Sequence, residues 1–240
     1  MSKINMQGES SADPTLPFWQ RITTLWPLKL GVTLVVSVFF WSFYLLLSRH
    51  ALFPVHTLPM TWLDDWAGFQ PSPWAWIYES IFLLTGITPW LIVSRDELRR
   101  YVIGFALLSA VSFVSFALFP VGSPRPAHVE SNTFLIFITQ VDGPLNAFPS
   151  LHAGCLIYNL ALVRHLFGRR LSPWAAIALL IWAGLILFAT LATKQHYALD
   201  LLAGGLLGWA ADQLAWRKSA GGDKASTKIR RNSAVPSQAG

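Results

Sequence analysis

The chain has 240 residues, of which 53% are hydrophobic, 14% aromatic and only 12% charged, with a formal net charge of +6. A soluble domain of this length carries about 25% charged residues to solvate its surface, so the composition argues against a soluble globular enzyme, a disordered chain or a nucleic-acid reader. It points to an integral membrane protein, whose 12 Trp and 16 Phe suit a chain solvated by lipid with rings at the interfaces.

Residues 1–27 are polar and include Glu9, Asp13, Pro14 and Pro17. They carry no cleavable signal-peptide pattern, so the first apolar run reads as an uncleaved anchor behind a cytoplasmic N-terminal segment. A helix crossing the hydrocarbon core needs about 20 mostly apolar residues. Six segments meet or approach this: 28–48, 74–94, 101–121, 153–168, 174–193 and 199–216. The expected fold is therefore all-α and polytopic, a membrane domain over 28–216 with six transmembrane helices. Between the first two spans, Asp64 and Asp65 with Trp62 and Trp66 suggest an interfacial segment. Glu79, beside Tyr78, is an acid just inside the second span, suited either to lining a substrate cavity or to a structural pair. Gly204 and Gly208 in the last span have the small-xxx-small spacing of close helix packing. Residues 217–240 read as a basic, disordered cytoplasmic tail. The single Cys155 cannot form an internal disulfide.

Positive charge orients the spans. Of 18 Lys and Arg, all but Arg49, Arg125 and Lys194 fall on the side that holds both termini and the loops at 95–100 and 164–173. The positive-inside bias puts that side in the cytoplasm. Two of the three external cations lie in the most polar, motif-like segments, so the external face is where chemistry is expected.

Three external segments stand out. Arg125 sits between Pro124 and Pro126, on backbone with few accessible states, and its planar fork of donors matches phosphate or carboxylate. Taken alone it also fits an interfacial arginine on a stiff turn. Phe148-Pro149-Ser150-Leu151-His152 opens the fourth span, with Ser150 as N-cap and the first free N–H groups facing an anion site. His152 falls in that first turn, where it fits a catalyst and an interfacial histidine equally. Lys194-Gln195-His196-Tyr197-Ala198-Leu199-Asp200 joins the fifth and sixth spans. On a helix His196 and Asp200 share a face, and a carboxylate beside an imidazole fixes its tautomer and stabilises its charged form. Ionisable groups at membrane depth are costly and mark function by default.

The order Arg-Pro, then Pro-Ser-x-His, then His-x-x-x-Asp before Gly204-Gly205 resembles the type 2 phosphatidic acid phosphatase superfamily over roughly residues 28–210. The wording Phe-Pro-Ser-Leu-His-Ala and Lys-Gln-His-Tyr-x-x-Asp resembles its branch related to inositol phosphorylceramide synthases. The resemblance implies six helices with an active site at the external membrane face. It implies His196 as the nucleophile on phosphorus, Asp200 as its orienting carboxylate and His152 as the general acid. Arg125 and Ser150 would hold phosphate oxygens. Two cations usual in the family are replaced, by Leu118 seven residues before Arg125 and by Thr190 six before His196, and the glycine between Ser and His is Leu151. Lys194 restores one charge if the junction at 190–195 is not helical.

The leading expectation is a metal-independent phosphatase, with no cofactor, acting on a lipid phosphate or diphosphate through a phosphohistidine. Its expected surroundings are a bilayer, a bacterial inner membrane with the site facing the periplasm or exterior, and no nucleic-acid or obligate protein partner. The same histidines would serve a phosphotransferase that uses an alcohol in place of water. A non-enzymatic anion transporter, and a zinc site built from His128, His152, His196 and Asp200, are further readings. His50, His56, His128 and His165 match no motif position.

Overall fold

A computed structural model describes residues 16–126 and 133–217. His128 and the tail beyond Arg217 lie outside the described residues. Regular structure among those described is helical throughout, with two isolated parallel bridges between loops. In chain order the helices are α1 (Phe18–Thr23), α2 (Trp26–Arg49), α3 (Trp62–Ala67), α4 (Trp74–Glu79), α5 (Ile81–Ile87), α6 (Arg95–Leu118), α7 (Thr133–Val141), α8 (Leu151–Phe167), α9 (Pro173–Ala192) and α10 (Ala198–Ala215). Helices α2, α6 and α9 are long and apolar enough to cross a membrane, and α8 is a shorter apolar helix. The chain is an integral membrane protein of the all-helical class.

Local chemistry sets the helix ends. Ser94 caps α6, its hydroxyl accepting from the Glu97 N–H at 3.1 Å, with Asp96 and Glu97 in the first turn where carboxylates complement the dipole. Pro27 and Pro173 open α2 and α9, positions where the missing N–H costs nothing. Gly168, at φ +52°, closes α8, a left-handed stop that glycine makes without strain.

The segment expected as the second span is not one helix. It runs as α4, a break at Ser80, α5 and a 3-10 turn over Thr88–Leu91. At the break the Ser80 N–H is shared between the Trp76 and Ile77 carbonyls. The Ser80 hydroxyl donates to Ile77 at 2.6 Å and accepts from the Trp182 indole at 2.9 Å. A hydroxyl that competes for helix carbonyls bends the ladder, and the α9 tryptophan holds the bend.

Helix α8 is the axis of the bundle and packs most intimately on α10. A Cβ added at Gly204 would run into the Ser150 carbonyl, and one at Gly208 into the Gly154 carbonyl. The small-residue spacing therefore lets two backbones touch, as the sequence suggested. At the other end of the pair, His165 Nε2 meets Asp212 Oδ1 at 2.7 Å and its ring stacks on Trp216 at 4.2 Å, so a histidine with no motif role fastens the two helices. Between these ends Asn159, fully buried, accepts from the Thr88 hydroxyl at 2.5 Å and the Tyr101 hydroxyl at 3.2 Å and donates to Cys155 at 2.8 Å. Such satisfied polar contacts tie apolar helices together where lipid offers no partner.

Arg21 and Lys29, expected among the charges of the positive side, are each 2% exposed. Lys29 Nζ donates to the Arg21 and Trp90 carbonyls, both at 2.6 Å, and Arg21 Nη1 to Leu91 at 3.1 Å. They cap the carbonyl ends of α1 and the 3-10 turn, where a cation is favoured.

Candidate active site

Main-chain bonds gather the loops that carry the three motifs. His56 donates to Pro120 and Gly122 to His56, both at 2.9 Å; Ala147 donates to Val121 at 3.2 Å, Ser123 to Pro144 at 2.8 Å and Leu145 to Ser48 at 3.0 Å. Arg49 Nη2 caps the end of α7 through the Gln140 and Val141 carbonyls at 3.0 and 2.8 Å. The stretch 119–126 is thereby registered against 142–150, and both against the end of α2. Gly143 permits this, because a Cβ there would strike the Ser48 carbonyl.

His196 and Asp200 meet as expected but not on one helix. α9 ends at Ala192, Lys194 takes a left-handed φ of +54°, and Tyr197 caps α10. His196 thus lies in the turn ahead of the helix that carries Asp200. Asp200 is the third residue of α10, and its Oδ2 accepts from the Tyr197 N–H at 2.9 Å. Its Oδ1 stands 3.1 Å from His196 Nδ1, the pair being 0% and 5% exposed. The Ala147 carbonyl faces the same nitrogen at 3.3 Å. Two acceptors at Nδ1 keep the proton there and leave the Nε2 lone pair outward.

That lone pair faces His152. Nε2 lies 3.4 Å from His152 Nδ1, and the rings are 5.4 Å apart at 60°. Ser150 caps α8 as anticipated, its hydroxyl accepting from the Ala153 N–H at 3.3 Å, and its own N–H donates to the Asp200 carbonyl at 3.1 Å. The bond from Ser150 to Asp200 locks the second motif to the third. The hydroxyl, having accepted from Ala153, retains its own proton to donate.

Four residues that sequence reasoning missed complete the site. Tyr78 stacks on the His152 ring at 4.3 Å, its hydroxyl 3.4 Å from Nδ1. Asp142 meets Arg125, which donates from Nη2 to the carboxylate at 3.2 Å and from Nη1 to the Asp142 main-chain carbonyl at 2.8 Å. Asp142 Oδ1 also accepts from Tyr44 at 2.9 Å and Asn146 at 2.8 Å. A signal existed: Asp142-Gly143-Pro144 is a turn signature that carries one of few acids near the motifs. Arg125 therefore rests on a carboxylate, with its Nε–H buried and without a partner among the described residues. Asp142, Glu79, Tyr44, Tyr78 and His152 line a common cavity of about 110 Å³, so Glu79 does border the histidine.

Lys194 is placed differently from the expectation. The junction is non-helical, as its role required, yet Nζ donates to the Asp64 main-chain carbonyl at 2.5 Å. Among the described residues no contact joins it to His152 or His196. Asp64, 1% exposed, knits α3 to this junction, accepting from Ala198 at 2.9 Å and from the Thr61 N–H and hydroxyl at 2.7 Å. The carboxylate expected at an interface is a buried brace. The two replaced cations are not restored locally: Leu118 is 61% exposed, and the buried Thr190 turns its hydroxyl to Leu187 at 2.6 Å. No group of three or more His, Cys, Asp or Glu among the described residues is arranged to hold a metal ion.

Comparison with known proteins bears on this geometry. The sequence model of the PAP2 superfamily matches residues 44–214, a span that holds all three motifs. An inositol phosphorylceramide synthase of Candida albicans is 34% identical over 77 residues, a stretch that covers 32% of this chain and 14% of that protein. No solved structure gives a significant match.

Proposed function

The chain belongs to the PAP2 superfamily, and we propose that it is a membrane-embedded phosphatase acting on a lipid phosphate or diphosphate through a phosphohistidine. One observation carries the reading: His196 is held at Nδ1 by Asp200 and Ala147, with Nε2 presented to a second histidine. A nucleophile, the group that orients it and a proton donor are within contact. In the first step Nε2 forms a bond to phosphorus as the bond to the leaving oxygen breaks, and protonated His152 passes its proton to that oxygen. In the second, His152 takes a proton from water as the water attacks phosphorus, the N–P bond breaks and phosphate leaves. Asp200 stabilises the charge on the imidazole between the steps. Arg125 through Nε–H and Ser150 through its hydroxyl supply donors to the phosphate oxygens, stabilisation that dominates phosphoryl transfer. Reacting atoms approach to about 3–3.5 Å before attack, so nitrogens 3.4 Å apart leave no room for phosphorus between them. The His152 ring turns away from His196 when substrate enters.

The site lies at the end of the bundle opposite Arg95, Arg100 and Arg217. We place that end outside the cytoplasm and the six apolar segments across the membrane, on the asymmetry of positive charge. The test is phosphate release by detergent-purified protein from a panel of lipid phosphates and diphosphates, with a chelator present. Release abolished in His196→Ala is the expected result; unchanged release in that variant overturns the assignment.

A phosphotransferase is the second reading, favoured by two observations. The similar Candida protein is named a synthase. The cavity beside His152, at about 110 Å³, is roomier than the ~10–15 Å³ that a single hydrolytic water needs. Products that appear only when a polyol or lipid alcohol is added would establish this reading over hydrolysis.

A further inference from the structure

A second, larger cavity begins at the same histidine. Its volume is about 280 Å³, and its walls come from α2, α5, α6 and the start of α8. His152, Leu151 and Tyr44 border one end; Lys29, Trp90 and Leu98 border the other. The walls between are mostly apolar, the exceptions being Thr33, Ser37, Thr85, Tyr101 and Cys155. Along α2 the cavity runs from Tyr44 to Lys29, about 22 Å at ~1.5 Å per residue.

Lys29 stands at the far end. Lys29 is 2% exposed and tied to two main-chain carbonyls, so a methyl terminus that reaches it meets a fixed polar group. Helix α2 is the wall most exposed on its outer side: in its apolar stretch only 6% of residues are buried, against 33% in α6 and in α9. The cavity therefore lies behind a single peripheral helix.

We infer that this cavity receives the hydrocarbon part of the substrate, phosphate end at His152 and chain terminus toward Lys29, and so selects lipid phosphates by chain length. The inference rests on the phosphatase reading for what stands at the His152 end.

Gly86 supplies the test. It lines the cavity, and a Cβ added there meets nothing within 4 Å. Gly86→Leu therefore adds bulk at the cavity wall, with its first side-chain carbon clear of every neighbour. Gly184 on α9 is equally unobstructed and lines neither described cavity, so Gly184→Leu is the matched control. Purified protein is assayed on hexyl, decyl and hexadecyl phosphate. In the wild type kcat/KM rises with chain length. Gly86→Leu loses about tenfold or more on hexadecyl phosphate, the worth of about two buried methylene groups, and keeps the wild-type rate on hexyl phosphate. Gly184→Leu matches the wild type throughout. Equal behaviour of the two variants, or an equal loss at every chain length, overturns the inference.

A second readout does not depend on turnover. Hexadecyl phosphate with a photoreactive group at its methyl end is cross-linked to the wild type and the labelled residues are mapped. Labels on Trp90 or Leu98 support the cavity; labels confined to outward residues of α2 such as Leu34 and Val35 overturn it. If none of the three alkyl phosphates is hydrolysed, the phosphatase reading fails by itself, and the cross-link map still decides the cavity.

Discussion

Asp200→Asn separates the orienting carboxylate from every other feature of the site, because it keeps the volume of a side chain that is 0% exposed. The Tyr197 main-chain N–H donates to Oδ2 at 2.9 Å and cannot turn. An amide at this position must therefore point its oxygen at Tyr197, since the other orientation sets two donors face to face. Its NH2 then faces His196 Nδ1, where Asp200 Oδ1 stood at 3.1 Å. A donor there forces Nδ1 to accept, the imidazole proton moves to Nε2, and the lone pair that attacks phosphorus is lost. Where a comparable carboxylate-to-amide change inverts a tautomer, kcat falls by about 10⁴. Here the Ala147 carbonyl remains 3.3 Å from Nδ1 and still favours the productive tautomer, which sets the expectation at ~10³–10⁴, about 4–5.5 kcal/mol of barrier. The assay is chelator-resistant phosphate release at saturating lipid phosphate, with thermal unfolding in detergent to confirm an intact fold. A folded Asp200→Asn protein that keeps more than about a tenth of wild-type kcat refutes the tautomer argument.

Other outcomes follow from the same geometry. His152→Ala should lower kcat on an alkyl phosphate by about 10²–10⁴, and far less on an aryl phosphate whose leaving group needs no proton; equal losses on both would remove His152 from the acid role. Rates should follow a bell-shaped pH profile, because one histidine must be neutral while the other is protonated; a rate that does not change with pH contradicts the pairing. Asp142→Ala removes the carboxylate that accepts from Arg125 Nη2 and from the buried Tyr44 hydroxyl, leaving Arg125 only the residue-142 main-chain carbonyl, at a cost approaching the ~3–5 kcal/mol of a broken buried pair. That cost should be read as a clear fall in Tm in detergent, with Asp142→Asn intermediate. Gly204→Ala should destabilise by about 1–3 kcal/mol and slow catalysis, because its Cβ strikes the Ser150 carbonyl. Gly205→Ala meets only Ile157 at 3.7 Å and should be neutral in thermal unfolding and turnover alike.

Composition and pattern determine much of this protein by themselves. A chain with 12% charged residues and long apolar runs cannot hold its backbone in lipid except as helices or a closed barrel, and the runs have helical length. Motif order identified the superfamily, and short-range chemistry placed the Ser150 cap and the Gly204/Gly208 contact, since caps and close crossings depend on residues a few positions apart. What lay beyond sequence reading is long-range. That His196 lies in a turn before α10, and still reaches Asp200, depends on how α9 ends at a left-handed Lys194. That Lys194 is spent on Asp64 depends on α3, 130 residues away. The Asp142–Arg125 pair, the Tyr78 ring over His152 and the break at Ser80 each join elements that sequence leaves far apart. Such contacts arise only when apolar helices pack and buried polar groups must find partners where no water is available, and tertiary packing decides which groups those are.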